Sequence, residues 1–305
     1  MFVRHLLSVT DLTSQEVHHL LERAIQMKQG DGARPLAGKN VALLFEKPSL
    51  RTRASFDVGV CQLGGHAFYM GPQEVGLGVR EPVSDVARVL TRYVDGIVAR
   101  VFVHSDLAEL AHHATVPVIN ALSDWEHPCQ TLADLQTIKE KKGGFEGITI
   151  AFIGDGNNVS RSLALGAALV GARCIIASPR DYTLDGETLD KARAMAKATG
   201  AEIAVTSSPQ EAARGADVVY TDVWTSMGQE SEAQQRLKAF QGFMVDEKLM
   251  ALAKPDAIFM HDLPAHRGEE VADRVIEGPQ SVVFDQAENR LHAQKAVLEF
   301  LIGSR

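Results

Sequence analysis

The chain has 305 residues, enough for two domains at roughly 150 residues each, and its 45% hydrophobic content can fill two cores. Its 39 acidic and 31 basic residues give a formal charge of -8 with no Lys/Arg run that would track a phosphate backbone, so no nucleic-acid partner is expected. No apolar run approaches the roughly 20 residues that span a bilayer, Met1 to Thr10 lacks an export signal, and three cysteines (Cys61, Cys129, Cys174) show no metal spacing, so we expect a cytoplasmic protein without membrane attachment.

Thr13 and Glu16 have the spacing of a capping box, and Val17, Leu20, Leu21, Ala24 and Ile25 follow as one apolar stripe, which predicts an amphipathic first helix. Val41 to Phe45 reads as a buried strand, followed by the polar segment Glu46 to Arg53 and a helix that ends at Gly64-Gly65. The alternation continues with strand His66 to Met70, loop Gly71 to Arg80, helix Pro82 to Tyr93 and strand Gly96 to Val101. Helix Asp106 to His113, strand Val116 to Asn120 and a helix from Pro128 to about Lys141 complete the first half, and Gly143-Gly144 marks a boundary. The second half restarts at Ile148 to Ile153. Further strands are predicted near Cys174 to Ala177, Glu202 to Val205, Val218 to Thr221, Ala257 to Met260 and Val282 to Phe284, before a closing helix from about Gln286 to Ile302. Strands separated by helices predict an α/β fold of two domains, each a parallel sheet with helices on both faces.

Ligands of parallel sheets bind beyond the carboxyl ends of the strands, so the polar segments after strands are the places to search. Glu46 to Arg53 joins a strand to a helix start. There, free backbone N–H groups, the Ser49 and Thr52 hydroxyls and the Arg51 fork suit phosphate oxygens, the alternative being a solvated helix cap. Arg100 closes a buried strand, as a ligand-facing cation or a surface residue. His127 and Gln130 lie about one turn apart around Pro128, where a neutral imidazole could polarise a carbonyl or simply cap the helix. Gly154 to Val159 half-matches a dinucleotide fingerprint, but the third glycine and the later acidic residue are missing. That disfavours a nicotinamide cofactor and leaves Asn157 or Asn158 to bind a carboxylate. Asp222 and Asp262, each after a strand, suit a cationic amino acid.

Ser49-x-Arg51-Thr52-Arg53 with His127-Pro128-x-Gln130 resembles the aspartate/ornithine carbamoyltransferase family along essentially the whole chain. Asp222-x-x-x-Ser226-Met227-Gly228 and His261-x-Leu263-Pro264 resemble its ornithine branch. The resemblance implies transfer of the carbamoyl group of carbamoyl phosphate to the δ-amine of L-ornithine, giving L-citrulline and phosphate, with no metal or organic cofactor. It implies that Ser49, Leu50, Arg51, Thr52, Arg100, His127, Gln130 and Arg290 bind carbamoyl phosphate, with Arg267 in a neighbouring motif. Asn157, Asp222, Ser226, Met227, Asp262 and Leu263 would bind ornithine. Arg51, Arg100 and His127 would stabilise the oxyanion, with Asp262 beside the reacting amine. Residues 1–141 with 287–305 would form the carbamoyl phosphate domain and 142–286 the ornithine domain, the last helix returning to the first domain, in a homotrimer or a multiple of trimers.

Three positions depart from the family pattern. Leu50 stands where Thr is common, Gly76 where a neighbouring subunit ordinarily supplies Gln or His, and Asp262 where the ornithine branch has Cys. Asp262 leaves open another acceptor amine, such as putrescine or an acylated ornithine, or a catalytically impaired binding homologue. The direction of the reaction, toward arginine biosynthesis or the reverse, is not set by the sequence.

Overall fold

The computed structural model describes residues 3–225 and 230–303, apart from the side chains at positions 75 and 230. Helix α1 (Ser14–Lys28) starts as its capping box requires. The Thr13 side chain accepts from the Glu16 N–H at 3.3 Å and the Glu16 carboxylate accepts from the Thr13 N–H at 2.9 Å. Val17, Leu20, Leu21, Ala24 and Met27 form its buried stripe. The first sheet is then built by β1 (Asn40–Phe45), α2 (Leu50–Gln62), β2 (His66–Met70), α3 (Pro72–Val75), α4 (Val83–Leu90), β3 (Gly96–Arg100), α5 (His104–His113) and β4 (Val118–Leu122). After α6 (Pro128–Lys142) come β5 (Thr149–Ile153), α7 (Asn158–Val170), β6 (Arg173–Ala177), α8 (Gly186–Thr199), β7 (Glu202–Thr206) and α9 (Pro209–Ala213). The chain continues through β8 (Val218–Thr221), α10 (Ala233–Ala239), α11 (Glu247–Met250), β9 (Ile258–His261), α12 (Asp273–Ile276) and α13 (Val283–Leu298).

The strands form two all-parallel sheets, β2-β1-β3-β4 and β7-β6-β5-β8-β9. Central strands such as β3 and β8 are buried at every residue, because helices on both faces of a parallel sheet leave no solvated side. Edge strands β2 and β7 are only partly buried. Ala42, Leu44, Ile97, Ala99 and Val118 pack with α4 and α5 residues in one core, and Ala151, Ile153, Val219 and Phe259 anchor another. The chain divides into two compact units, residues 1–136 with 288–305 and residues 137–287, so α13 contributes to the first unit.

The expected strand at Val282 to Phe284 is not one. Ser281 makes a single bridge to Phe259, the Val282 N–H donates to the Phe259 carbonyl at 3.0 Å, and α13 begins at Val283. A three-residue apolar run cannot by periodicity be told from the first turn of a buried helix. The expected loop at Gly71 to Arg80 contains the short α3, closed by Gly76 at φ 48°, a left-handed conformation that glycine adopts without a Cβ penalty.

Candidate functional site

In the first sheet the order reverses at β1, whose neighbours β2 and β3 lie on opposite sides, and Phe45 pairs with Arg100 at the carboxyl ends of β1 and β3. Such a switch point opens a crevice in which the segments after both strands meet. Ser49 caps α2, its hydroxyl accepting from the Thr52 N–H at 3.3 Å. The Leu50 side chain is 81% exposed, so any role it has in anion binding rests on its backbone N–H in the first turn. Arg51 is half-buried on that turn. Thr52 is buried and accepts from Arg290 Nη2 at 3.2 Å, while Arg290 Nη1 donates to Gln130 Oε1 at 2.5 Å. Gln130 Nε2 in turn donates to Asp134 at 2.8 Å, which fixes the amide's orientation. Four of the expected carbamoyl phosphate residues, from two separate helix starts and the closing helix, are thus joined by hydrogen bonds.

His127 opens α6 from a pinned loop. The Glu126 carbonyl accepts from the Ser123 N–H at 3.0 Å, and its carboxylate accepts from Ser8 Oγ at 2.5 Å and the Val9 N–H at 2.9 Å. Burial, and then the nearby Arg290 and Arg100 guanidinium groups, hold the His127 imidazole well below its ordinary pKa, so it stays neutral and can donate a hydrogen bond. Arg100 is itself buried. The sequence reading missed the part Glu46 plays: its N–H donates to the Arg100 carbonyl at 2.8 Å and its carboxylate accepts from the Phe102 N–H at 2.9 Å. An acid directly after a buried strand was the available signal. Buried Lys47 lies over the Phe102 ring at 4.5 Å.

The second sheet has its own switch point between β5 and β8. Asn157, after β5, is the N-cap of α7, with its oxygen accepting from the Val159 N–H at 3.0 Å and the Ser160 N–H at 3.1 Å. Its Nδ2 donates to Asp222, after β8, at 2.7 Å. The other Asp222 oxygen accepts from the Val223 N–H at 2.7 Å. Gly156 must be glycine, because a Cβ there would meet the Thr183 carbonyl carbon at 2.4 Å. The glycines that resemble a dinucleotide fingerprint therefore serve a tight strand-to-helix turn.

Asp262 follows β9. One ligand atom from each of Asp222, His261 and Asp262 lies within 4.8 Å of the others, and the two carboxylates suit a cationic amine. Both His261 nitrogens are engaged, Nδ1 accepting from the Leu263 N–H at 2.9 Å and Nε2 facing Glu270 at 3.2 Å, which removes the imidazole as a ready metal ligand. Leu263 sits at φ 60°, outside the common regions for a branched residue, so this bend is held by its surroundings. His266, Glu269 and Glu270 form a second such group. Arg267 is exposed and ion-paired with Asp273 and Glu277. Ser226 and Met227 lie outside the described residues.

Comparison with known proteins matches residues 4–140 to the aspartate/ornithine carbamoyltransferase carbamoyl-P binding domain and residues 146–301 to the Asp/Orn binding domain of the same family. This chain belongs to the aspartate/ornithine carbamoyltransferase family. It is similar to the ornithine carbamoyltransferase of Hyperthermus butylicus, 54% identical with 99% of this chain and 98% of the relative covered. It is also similar to that of Thermococcus kodakarensis, 52% identical with 98% and 96% covered. The solved ornithine carbamoyltransferase of Pyrococcus furiosus superposes with a TM-score of 0.96 at 51% identity, covering 99% of this chain and 98% of that one.

Proposed function

We propose that this enzyme transfers the carbamoyl group of carbamoyl phosphate to the δ-amine of L-ornithine, giving L-citrulline and phosphate. The observation that carries this reading is identity above 50% over nearly the whole chain to ornithine carbamoyltransferases. In this reading the neutral Nδ attacks the carbonyl carbon, the C–O bond to phosphate breaks, and the departing phosphate accepts the amine proton. Arg51, Arg100 and neutral His127 donate to the developing oxyanion, and Ser49, the Leu50 N–H, Thr52, Gln130 and Arg290 hold the phosphate and carbamoyl groups. Asn157, Asp222, Ser226 and Met227 receive the amino-acid end, with Asp262 and Leu263 beside the reacting amine. Residues 1–141 with 287–305 serve as the carbamoyl phosphate domain and 142–286 as the ornithine domain. We place the enzyme in the cytoplasm, supported by three free thiols of which Cys61 is exposed. The synthetic direction is supported by the 51% identical relative from Pyrococcus furiosus that is described as anabolic.

Citrulline formation from carbamoyl phosphate and ornithine across pH 6 to 10, for the parent and for Asp262→Cys, tests the reading. A carboxylate beside the δ-ammonium favours its protonated form, so the amine becomes nucleophilic only at higher pH. Removing that charge should move the rising limb of the profile down by about 1 pH unit. No citrulline from either protein, with both folded, would overturn the assignment.

A further inference from the structure

Two buried charged residues at the carboxyl edge of the second sheet have no part in the chemistry above. Asp155 follows β5 inside the Gly154-Gly156 turn, Arg236 lies on α10, and their side chains are 9% and 7% exposed. Arg236 Nη1 donates both to Asp155 Oδ2 at 2.7 Å and to the Trp224 carbonyl at 3.0 Å, and Nε donates to Glu232 at 3.1 Å. The guanidinium carbon lies 4.9 Å from the centre of the Tyr182 ring, and the Tyr182 carbonyl accepts from the Gly156 N–H at 2.7 Å. One cation therefore grips the side-chain carboxylate of the residue two before Asn157 and the backbone carbonyl of Trp224, two residues after Asp222. These are the two side chains hydrogen-bonded to each other at 2.7 Å.

Taking a charge pair out of water is costly, and well-packed apolar residues are often as stabilising, so such a pair is weakly explained by stability alone. Its bonds to one backbone carbonyl and one turn carboxylate instead constrain where Asn157 and Asp222 stand. We propose that Arg236, through Asp155 and the Trp224 carbonyl, is a positioning residue for the amino-acid end of the substrate, setting the Asn157–Asp222 spacing that receives the α-ammonium and α-carboxylate groups. The proposal rests on the ornithine reading above.

Steady-state rates of citrulline formation with each substrate varied separately test it, on the parent, Arg236→Met, Arg236→Lys and Asp155→Asn, alongside thermal unfolding. Arg236→Met should raise KM for ornithine by about tenfold or more while KM for carbamoyl phosphate stays within about twofold, with Arg236→Lys intermediate. Asp155→Asn, which keeps shape and volume, should shift the ornithine KM in the same direction and is the variant to read if Arg236→Met does not fold. An unchanged ornithine KM in folded variants, or equal loss against both substrates, would overturn the positioning role and leave the ornithine reading standing. A parent that makes no citrulline would overturn both.

Discussion

His127 is 3% exposed between burial and two guanidinium groups, and the physical result is an imidazole that stays neutral where an ordinary histidine would protonate. Because its folded pKa is depressed, the unfolded chain binds a proton first. Stability is therefore full above about pH 6.5 and declines as the pH falls from there toward the folded value. Urea midpoints at pH 7.5 and 5.5 should show the parent losing more stability across that interval than His127→Gln. A matching loss in both would remove His127 from the account. Arg51 offers the complementary test. It stands on the first turn of α2, one position before Thr52, which is bonded to Arg290. Removing one donor from a developing oxyanion typically costs about 3 kcal/mol in the transition state, so Arg51→Ala should lower kcat by about 100-fold or more with unfolding unaffected. An unchanged kcat would sink its assigned role. At this scale the motif residues were legible, but the Arg290 partnership with Gln130 and Thr52 was not. Position 290 is 160 residues from one partner and 238 from the other, and no local pattern spans that distance.

Among the elements, those whose signals are local were read well. The capping box of α1 needs only Thr13 and Glu16, and the hydrogen bonds between them form as their spacing requires. Burial adds little at the exposed Thr13, so Thr13→Ala should cost about 1 kcal/mol of unfolding free energy by urea titration; no measurable change would show the cap to be redundant. The β2 and β8 bounds agree with the sequence reading because short apolar runs there are flanked by turns or polar residues. The reading failed at Val282, where an apolar run lies against Phe259 through one bridge and then turns helical. Asp155 and Arg236 escaped notice because each is unremarkable until the fold brings them to 2.7 Å.

For the molecule as a whole, we infer a homotrimer or a multiple of trimers. The family resemblance supports it. Light scattering after size exclusion should give about three times 33.1 kDa or a multiple of that; a mass of one chain would overturn the assembly. By itself the sequence determined the class of fold, because strand and helix periodicities and their alternation are local consequences of side-chain burial. It also pointed to the family, because the Ser49-x-Arg51-Thr52-Arg53 and His127-Pro128-x-Gln130 motifs are local in the chain. Only the tertiary structure decided the strand orders β2-β1-β3-β4 and β7-β6-β5-β8-β9, and with them which loops share a switch point. Strand order depends on how whole helices and strands pack across long sequence separations, and the chain's local pattern is compatible with several such orders.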